Sequence, residues 1–244
     1  MATPETSTVH TAADVHSLLL SVPGDSSAGK APRRVMSRHV ADRIRQLIFD
    51  GTLKRGQRIP QDALAEELGV SRLPIREALI TLESEGLVTS EAHRGAFVVP
   101  IRQEDIEDHY RIFGLIQGLA ARRAATRMNA PTVERLRELH EQMRTTTDRE
   151  EFHDLNWAFH SLINQTGGSR RLQSILRQLG HNLPRAVYEN PSGSIDEANS
   201  GHARIIAALE AGNGPEADVA SQEHTVAEGD YVIAKLKKEG ILEV

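Results

Sequence analysis

The spacing of apolar residues between about positions 36 and 99 predicts helices first and strands afterwards. A helix over about 36–50 is predicted by an apolar stripe at Val40, Ile44, Leu47 and Ile48. Two shorter helices follow, with stripes at Leu64 and Leu68 and then at Ile75, Ala78, Leu79 and Leu82. Residues 87–89 and 96–99 are β-rich runs joined by a polar turn, which predicts paired strands.

Residues with special backbone or capping properties lie at the predicted ends of these helices. Gly69 lies where a tight turn between the second and third helices needs a positive φ. Ser71 offers an N-cap oxygen to the third helix, and Pro74 falls in its first turn, where a missing N–H costs little. Gly86 ends that helix. The order of helix, turn, helix and β-wing predicts a winged helix-turn-helix.

The third helix has a polar face opposite its apolar stripe. Near the N-terminus this face carries Arg72, Leu73, Arg76 and Glu77. The N-cap residue Ser71 is expected to contact a phosphate. The N-terminal part of such a helix reaches base edges in the major groove, so double-stranded DNA is the expected partner. We expect Arg94 and Gly95 to contact DNA from the wing and Arg34 to contact the DNA backbone. The alternative is a packed helical hairpin in which Arg72 and Arg76 are solvated surface charges.

From Asp105 onward the pattern is helical, and no strand is predicted after Val99. Helices are expected over about 103–128, 131–146, 149–166, 169–181, 195–212 and 214–239. Residues 1–30 are rich in Ser, Thr, Ala, Gly and Pro and are expected to form a disordered leader. The predicted fold is mostly α, with a winged helix-turn-helix domain at 31–100 and an all-helical domain at 101–244.

Composition limits the cellular compartment and the binding partners that are expected. The 244 residues include no cysteine, which excludes disulfides, zinc ribbons and thiol catalysis. The apolar run at 18–20 is too short for a signal sequence or a membrane span, so a cytoplasmic protein is expected. Residues 31–102 hold 12 Lys and Arg against 9 Asp and Glu, whereas residues 103–244 hold 16 against 22. The modestly basic first domain is the one suited to DNA phosphates.

Three histidines of the second half lie on inward faces of predicted helices, namely His160, His202 and His224. Imidazole nitrogens that converge from separate helices form a plausible site for a divalent metal, with zinc, nickel and manganese as candidates. The alternative is a set of core histidines satisfied by backbone or carboxylate groups. The remaining histidines have no comparable spacing and are expected on the surface or in linkers.

The first domain resembles a known family. The block from Val35 to Pro100, with the wording LAEELGVSRLPIREALITLESEGL, is similar to the DNA-binding domain of the GntR family of bacterial transcription regulators. The second half resembles the helical FCD effector domain of the FadR-type branch, through NWAFHSLINQTGGSRRL at 156–172 and HARIIAALEAGN at 202–213. The resemblance implies a homodimer that represses from a palindromic operator and releases it when a small molecule binds the helical domain.

The resemblance also implies the ligands of the metal. In FCD domains that bind metal, an acidic residue and a histidine four residues later are followed by two further histidines. These positions correspond here to Asn156, His160, His202 and His224. Asn156 replaces the acidic residue and brings no charge, so we expect a lower affinity or a different metal.

A second departure concerns the effector. Many relatives place an Arg and a Glu where this chain has Phe113 and Gln117, and that Arg is a natural carboxylate anchor. Its loss weakens the case for a small organic acid and favours a fatty acyl compound or a pocket that uses the metal alone. Arg111 on the adjacent face would replace the missing charge, and the alternative is a surface role for this residue. The other residues expected near the effector are Trp157, Arg185 and Tyr188.

The regulator is not expected to be an enzyme, and two alternative functions are a metal-dependent hydrolase and an architectural protein. A metal-dependent hydrolase would use His160, His202 and His224 to activate water, but the sequence has no HExxH motif and the DNA-binding domain would be unexplained. An architectural protein would lack a cavity in its helical domain.

Overall fold

The first half of the computed structural model is a three-helix head with a β-wing. The structure describes residues 33–184 and 194–243. The head contains α1 (Arg33–Phe49), α2 (Gln61–Glu67), α3 (Arg72–Ser84), β1 (Val88–Glu91) and β2 (Gly95–Val98). The strands pair antiparallel, with Val88 opposite Val98, and Arg58 bridges to Phe97 on the other side of β2. The predicted winged helix-turn-helix is confirmed.

The apolar stripes predicted from the sequence form the core of this head. Ile44, Ile75 and Leu82 are wholly buried, and burying such a side chain contributes about 1.5–3 kcal/mol. Gly69 has a φ of +63° between α2 and α3, a conformation that a residue with a Cβ rarely adopts. Ser71 is the N-cap residue of α3, but its side chain makes no capping hydrogen bond. The expected cap is therefore wrong, and Ser71 is exposed.

The second half is helical, as predicted. Its elements are α4 (Gln103–Ala125), α5 (Ala130–Thr145), α6 (Arg149–Gly167), α7 (Arg170–Leu179), α8 (Ser194–Glu210) and α9 (Gly214–Lys238). These bounds agree with the predicted helices to within three residues. Of the N-cap residues that the structure describes in this half, four accept backbone hydrogen bonds through their side chains, namely Asn129, Asp148, Ser169 and Asn213. Among the described helices, none has the length and apolar character required to span a membrane.

One apolar core continues from the head into the helical half. The buried cluster of the head also includes Tyr110 of α4 and Val232, Ile233 and Leu236 of α9. The two halves are therefore packed against each other, and α1 lies close to the helical half.

A buried ion pair joins α1 to the end of α3. Arg45 of α1 donates from Nε and Nη2 to the carboxylate of Glu85, the C-cap residue of α3, at 2.8–3.1 Å. Both side chains are less than a tenth exposed. Removing one partner of a buried pair leaves an uncompensated charge and costs about 3–5 kcal/mol. The pair therefore ties the C-terminal end of α3 to α1.

Candidate functional site

The N-terminal half of α3 presents the predicted DNA-contacting residues to solvent. Arg72 and Leu73 are exposed, and so is Arg76. Arg72 Nε lies 2.8 Å from Asp62 Oδ1 of α2, but both side chains are more than two thirds exposed. Exposed pairs of this kind contribute about 0–1 kcal/mol, so a base or a phosphate can replace Asp62. Ile80 also lies on this face and is exposed, although the sequence analysis did not single it out.

The wing carries the other predicted contacts. Arg94 is exposed, forms an ion pair with Glu91 of β1 and lies 5.4 Å from the Phe97 ring centre. Gly95 has a φ of +105°, and a Cβ at this position would lie 2.9 Å from Arg58 Nε. Gly95 therefore makes room for Arg58, an exposed cation beside the wing that the sequence analysis missed. Arg34 lies in α1, but its side chain is outside the described residues.

Three histidine side chains from different helices converge in the second half. Nε2 of His160 on α6 lies 3.4 Å from Nε2 of His202 on α8 and 3.2 Å from Nε2 of His224 on α9. Ligand atoms of all three lie within 4.8 Å of one another. His202 and His224 are buried, so the sequence expectation that these histidines point inward is confirmed.

The spacing of these nitrogens fits a metal ion. Two nitrogens bound to one zinc ion at about 2.0–2.1 Å and at a tetrahedral angle lie about 3.3–3.4 Å apart. Burial lowers the pKa of His160 to about 4, with a smaller contribution from the charge of His224. Burial also lowers the pKa of His202 well below its ordinary value. Both imidazoles are therefore neutral at pH 7 and can offer a lone pair to a cation.

Two oxygen donors lie beside the histidines. Oδ1 of Asn156 is buried and has no hydrogen-bond partner in the structure, a situation that costs about 1–3 kcal/mol. Oε1 of Glu228 lies 3.5 Å from His224 Nε2. Burial alone raises the pKa of Glu228, but hydrogen bonds from His224 and Asn156 hold that pKa below its ordinary value. Glu228 is therefore an ionised carboxylate at pH 7, next to the position where Asn156 lacks the charge.

Glu228 was not predicted from the sequence. It lies four residues after His224 on α9, the same helical spacing that relates Asn156 to His160. That spacing was the available signal.

Gly201 permits the close approach of α8 and α9 at this cluster. A Cβ on Gly201 would lie 2.4 Å from His224 Nδ1. The glycine immediately before His202 thus lets the His224 ring lie against the backbone of α8.

A cavity of about 640 Å³ lies beside the cluster, between the head and the helical half. Of the residues expected near the effector, Phe113, Gln117 and Trp157 line it. Arg111 does not: its side chain is exposed and lies 3.8 Å from Glu107. The expectation that Arg111 supplies a cavity charge is therefore not met. Arg185 and Tyr188 lie outside the described residues.

The cavity contains residues that the sequence analysis missed. Its walls include His153 and His181, together with Asn156, His160 and Glu228 of the cluster. Four histidines that were expected on the surface or in linkers are partly buried, namely His109, His140, His153 and His181. The expectation is wrong for the first three, which lie within helices, whereas His181 follows α7 in a linker as expected.

The fold and site define a winged helix-turn-helix protein with a helical C-terminal domain. Models of "Bacterial regulatory proteins, gntR family" and of the FCD domain match residues 36–98 and 108–227. The chain belongs to the GntR family of bacterial transcriptional regulators, in the group that carries an FCD domain.

Individual relatives agree with this assignment. An "Uncharacterized HTH-type transcriptional regulator" of Mycobacterium tuberculosis is 30% identical over 158 residues, and the match spans only 65% of either chain. A "Probable D-xylose utilization operon transcriptional repressor" of Paenarthrobacter nicotinovorans is 28% identical and covers 83% of this chain and 91% of the relative. The structure of E. coli McbR/YncC shares the fold, with a TM-score of 0.61 and 23% identity over 84% of this chain and 98% of that chain.

We predict that Gly201→Ala destabilises the protein. The added methyl group meets the His224 ring, and overpacking outweighs the helix propensity gained by alanine, for a net loss of about 1–2 kcal/mol in the free energy of unfolding. Urea denaturation measures this loss. Ser200→Ala, at an exposed position of the same helix, is the control and should change stability by less than about 0.5 kcal/mol. Equal stability of Gly201→Ala and the wild type would contradict the close approach.

Proposed function

We propose that the protein is a ligand-responsive transcriptional regulator, not an enzyme, that binds a palindromic DNA operator in the cytoplasm as a repressor. The observation that carries the proposal is the exposed cationic face at the N-terminus of α3, with a second exposed cation, Arg94, on the wing. In this role Arg72 and Arg76 contact base edges, Leu73 contacts an apolar base surface, and Ser71 contacts a phosphate. The relatives' names give no support to the hydrolase alternative.

The DNA contacts are tested with a duplex that the protein itself selects from a randomised pool. Arg72→Ala and Arg76→Ala should each weaken binding to the selected duplex by about 1–3 kcal/mol, because a bidentate base contact contributes that much discrimination. Arg144→Ala removes the same charge from an exposed position of α5 and should leave the affinity within about twofold. Wild-type affinity in both α3 variants would remove α3 as the reading surface.

The helical half is the part proposed to bind a metal and an effector. Asn156, His160, His202, His224 and Glu228 would hold a divalent ion, with zinc, nickel and manganese as candidates. A metal bound there would supply positive charge to a small molecule. The cavity of about 640 Å³ is within the size range of small-molecule sites and suits an organic acid or a fatty acyl compound.

The carboxylate of Glu228 is proposed to replace the charge that Asn156 lacks. Glu228→Gln should lower the affinity for zinc or nickel by about tenfold or more, as loss of a group at or next to a metal commonly does. Calorimetry with metal-free protein gives the affinity, and the fluorescence of Trp157 provides a second readout. Glu223→Gln, at an exposed position of α9, is the matched control. Unchanged metal affinity in Glu228→Gln would remove this role, and absence of binding to the wild type would remove the metal site.

A homodimer is proposed to form through α4 and α9. Exposed apolar side chains lie on these two packed helices, at Ile112, Leu115, Leu119, Val219 and Val226. Several exposed apolar side chains on two adjacent helices favour an interaction site there, and a twofold dimer matches the symmetry of a palindromic operator.

The dimer is tested with Leu115→Glu. The added charge should prevent association, because an unpaired carboxylate in an apolar interface is strongly unfavourable, and analytical ultracentrifugation should then show a monomer. Gln142→Glu adds the same charge at an exposed position of α5 and should leave the dimer intact. A Leu115→Glu variant that still dimerises would place the interface elsewhere.

A further inference from the structure

Helix α1 has two faces with different roles. Val40, Ile44 and Leu47 are buried in the core of the head. Arg38, Asp42 and Arg45 are spaced by four and three residues, so they share another face of the helix, and all three line the cavity. One helix of the DNA-binding domain therefore forms part of the wall of the effector cavity.

The cavity wall is also connected to the recognition helix. Arg45 lines the cavity and is paired with Glu85 at the C-terminal end of α3. Arg45 Nη1 additionally donates to Asp42 Oδ1 at 2.6 Å. A shift of α1 that keeps this buried pair intact must move the end of α3 as well, because separating the charges is costly.

The cavity wall contains two cations available for an anion. Arg38 of α1 and Arg177 of α7 line the cavity and are exposed, and neither has a carboxylate partner among the described residues. His181 also lines the cavity, and its Nδ1 donates to the Arg177 carbonyl oxygen. Burial, and to a lesser extent the charge of Arg38, lowers the pKa of His181, so this imidazole is neutral at pH 7 and does not add a cation.

We propose that the effector is an acid with an apolar body whose carboxylate is bound by Arg38 and Arg177, so that the ligand contacts the DNA-binding domain directly. Phe113, Trp157 and Leu176 provide the apolar part of the cavity wall. Binding pulls on α1 and, through Arg45 and Glu85, reorients α3 and weakens operator binding. The inference rests on the proposed function, and it supplies on α1 and α7 the carboxylate anchor that Phe113 and Gln117 do not provide.

The chain contains no cysteine, which allows a carboxylate to be placed in the cavity without knowledge of the natural effector. Ser161 of α6 lines the cavity, and Ser161→Cys introduces a single thiol there. Labelling with 2-carboxyethyl methanethiosulfonate adds a carboxylate, and propyl methanethiosulfonate adds a neutral group of similar size. The carboxylate label should lower affinity for the selected duplex by at least tenfold, whereas the propyl label should change it by less than threefold.

Further variants test the anchors and the route to α3. The effect of the carboxylate label should disappear in a variant that also carries Arg38→Gln and Arg177→Gln, and should persist with the control Arg144→Gln. In Glu85→Gln, with folding checked by circular dichroism, the label should still change hydrogen exchange of α1 amides but no longer that of α3 amides. Equal effects of the two labels, an increase in affinity, or a full effect in the arginine double variant would overturn the proposal.

Hydrogen exchange of residues 72–84 is measured on the labelled protein without DNA. It therefore reports the coupling even if no duplex is selected. Failure to select a specific duplex, together with a carboxylate-dependent change in α3 exchange, contradicts the proposed function and supports the coupling. Specific DNA binding with no difference between the labels contradicts the coupling and leaves the regulator intact.

Discussion

The apolar core that runs without interruption from the head into α4 and α9 is the constraint on which the arrangement of sites depends. Because Val232 and Leu236 of α9 share a core with Ile44 of α1, α1 cannot stand free of the helical half. The apolar stripe of α1 is buried in the head, so the polar face of α1 lies towards the helical half. The cavity is a consequence of this packing, and a cavity bounded by both halves is a suitable place for a small molecule to influence DNA binding.

The negative charge of the candidate metal site comes from Glu228, because Asn156 brings none. An asparagine at position 156 leaves three imidazoles and an amide, which attract a divalent cation less strongly than a set with a carboxylate. Glu228 supplies a negative charge from the next turn of α9 after His224. Asn156 donates to Glu228 through its amide nitrogen, and its buried oxygen has no hydrogen-bond partner, so this oxygen is available to a cation.

Features of the fold that depend on local signals were predictable from the sequence. The bounds of α3 followed from its stripe, Pro74 and Gly86, and the turn before it from Gly69, since neighbouring residues set each of these. The capping bond of Ser71 was wrong because an N-cap position does not by itself orient the hydroxyl group. The predicted cavity role of Arg111 was wrong because packing against other helices determines which face of α4 lines the cavity. Glu228 was missed although its four-residue spacing from His224 was a signal within one helix. Arg38 was missed because the cavity that it lines is formed by helices far away in sequence.

The positions of the proposed ligand groups explain why metal and effector sites can be adjacent without being identical. Asn156, His160 and Glu228 line the cavity, whereas His202 and His224 are not part of its wall. A metal held by all five residues would be reached from the cavity on one side only.

Arg38 and Arg177 belong to α1 and α7, which contribute none of those five residues. A ligand with one carboxylate can then bind at the arginines and direct its apolar body along Trp157, while the metal remains a separate source of positive charge. This separation makes the two sites independently testable, because each can be altered without removing a residue of the other.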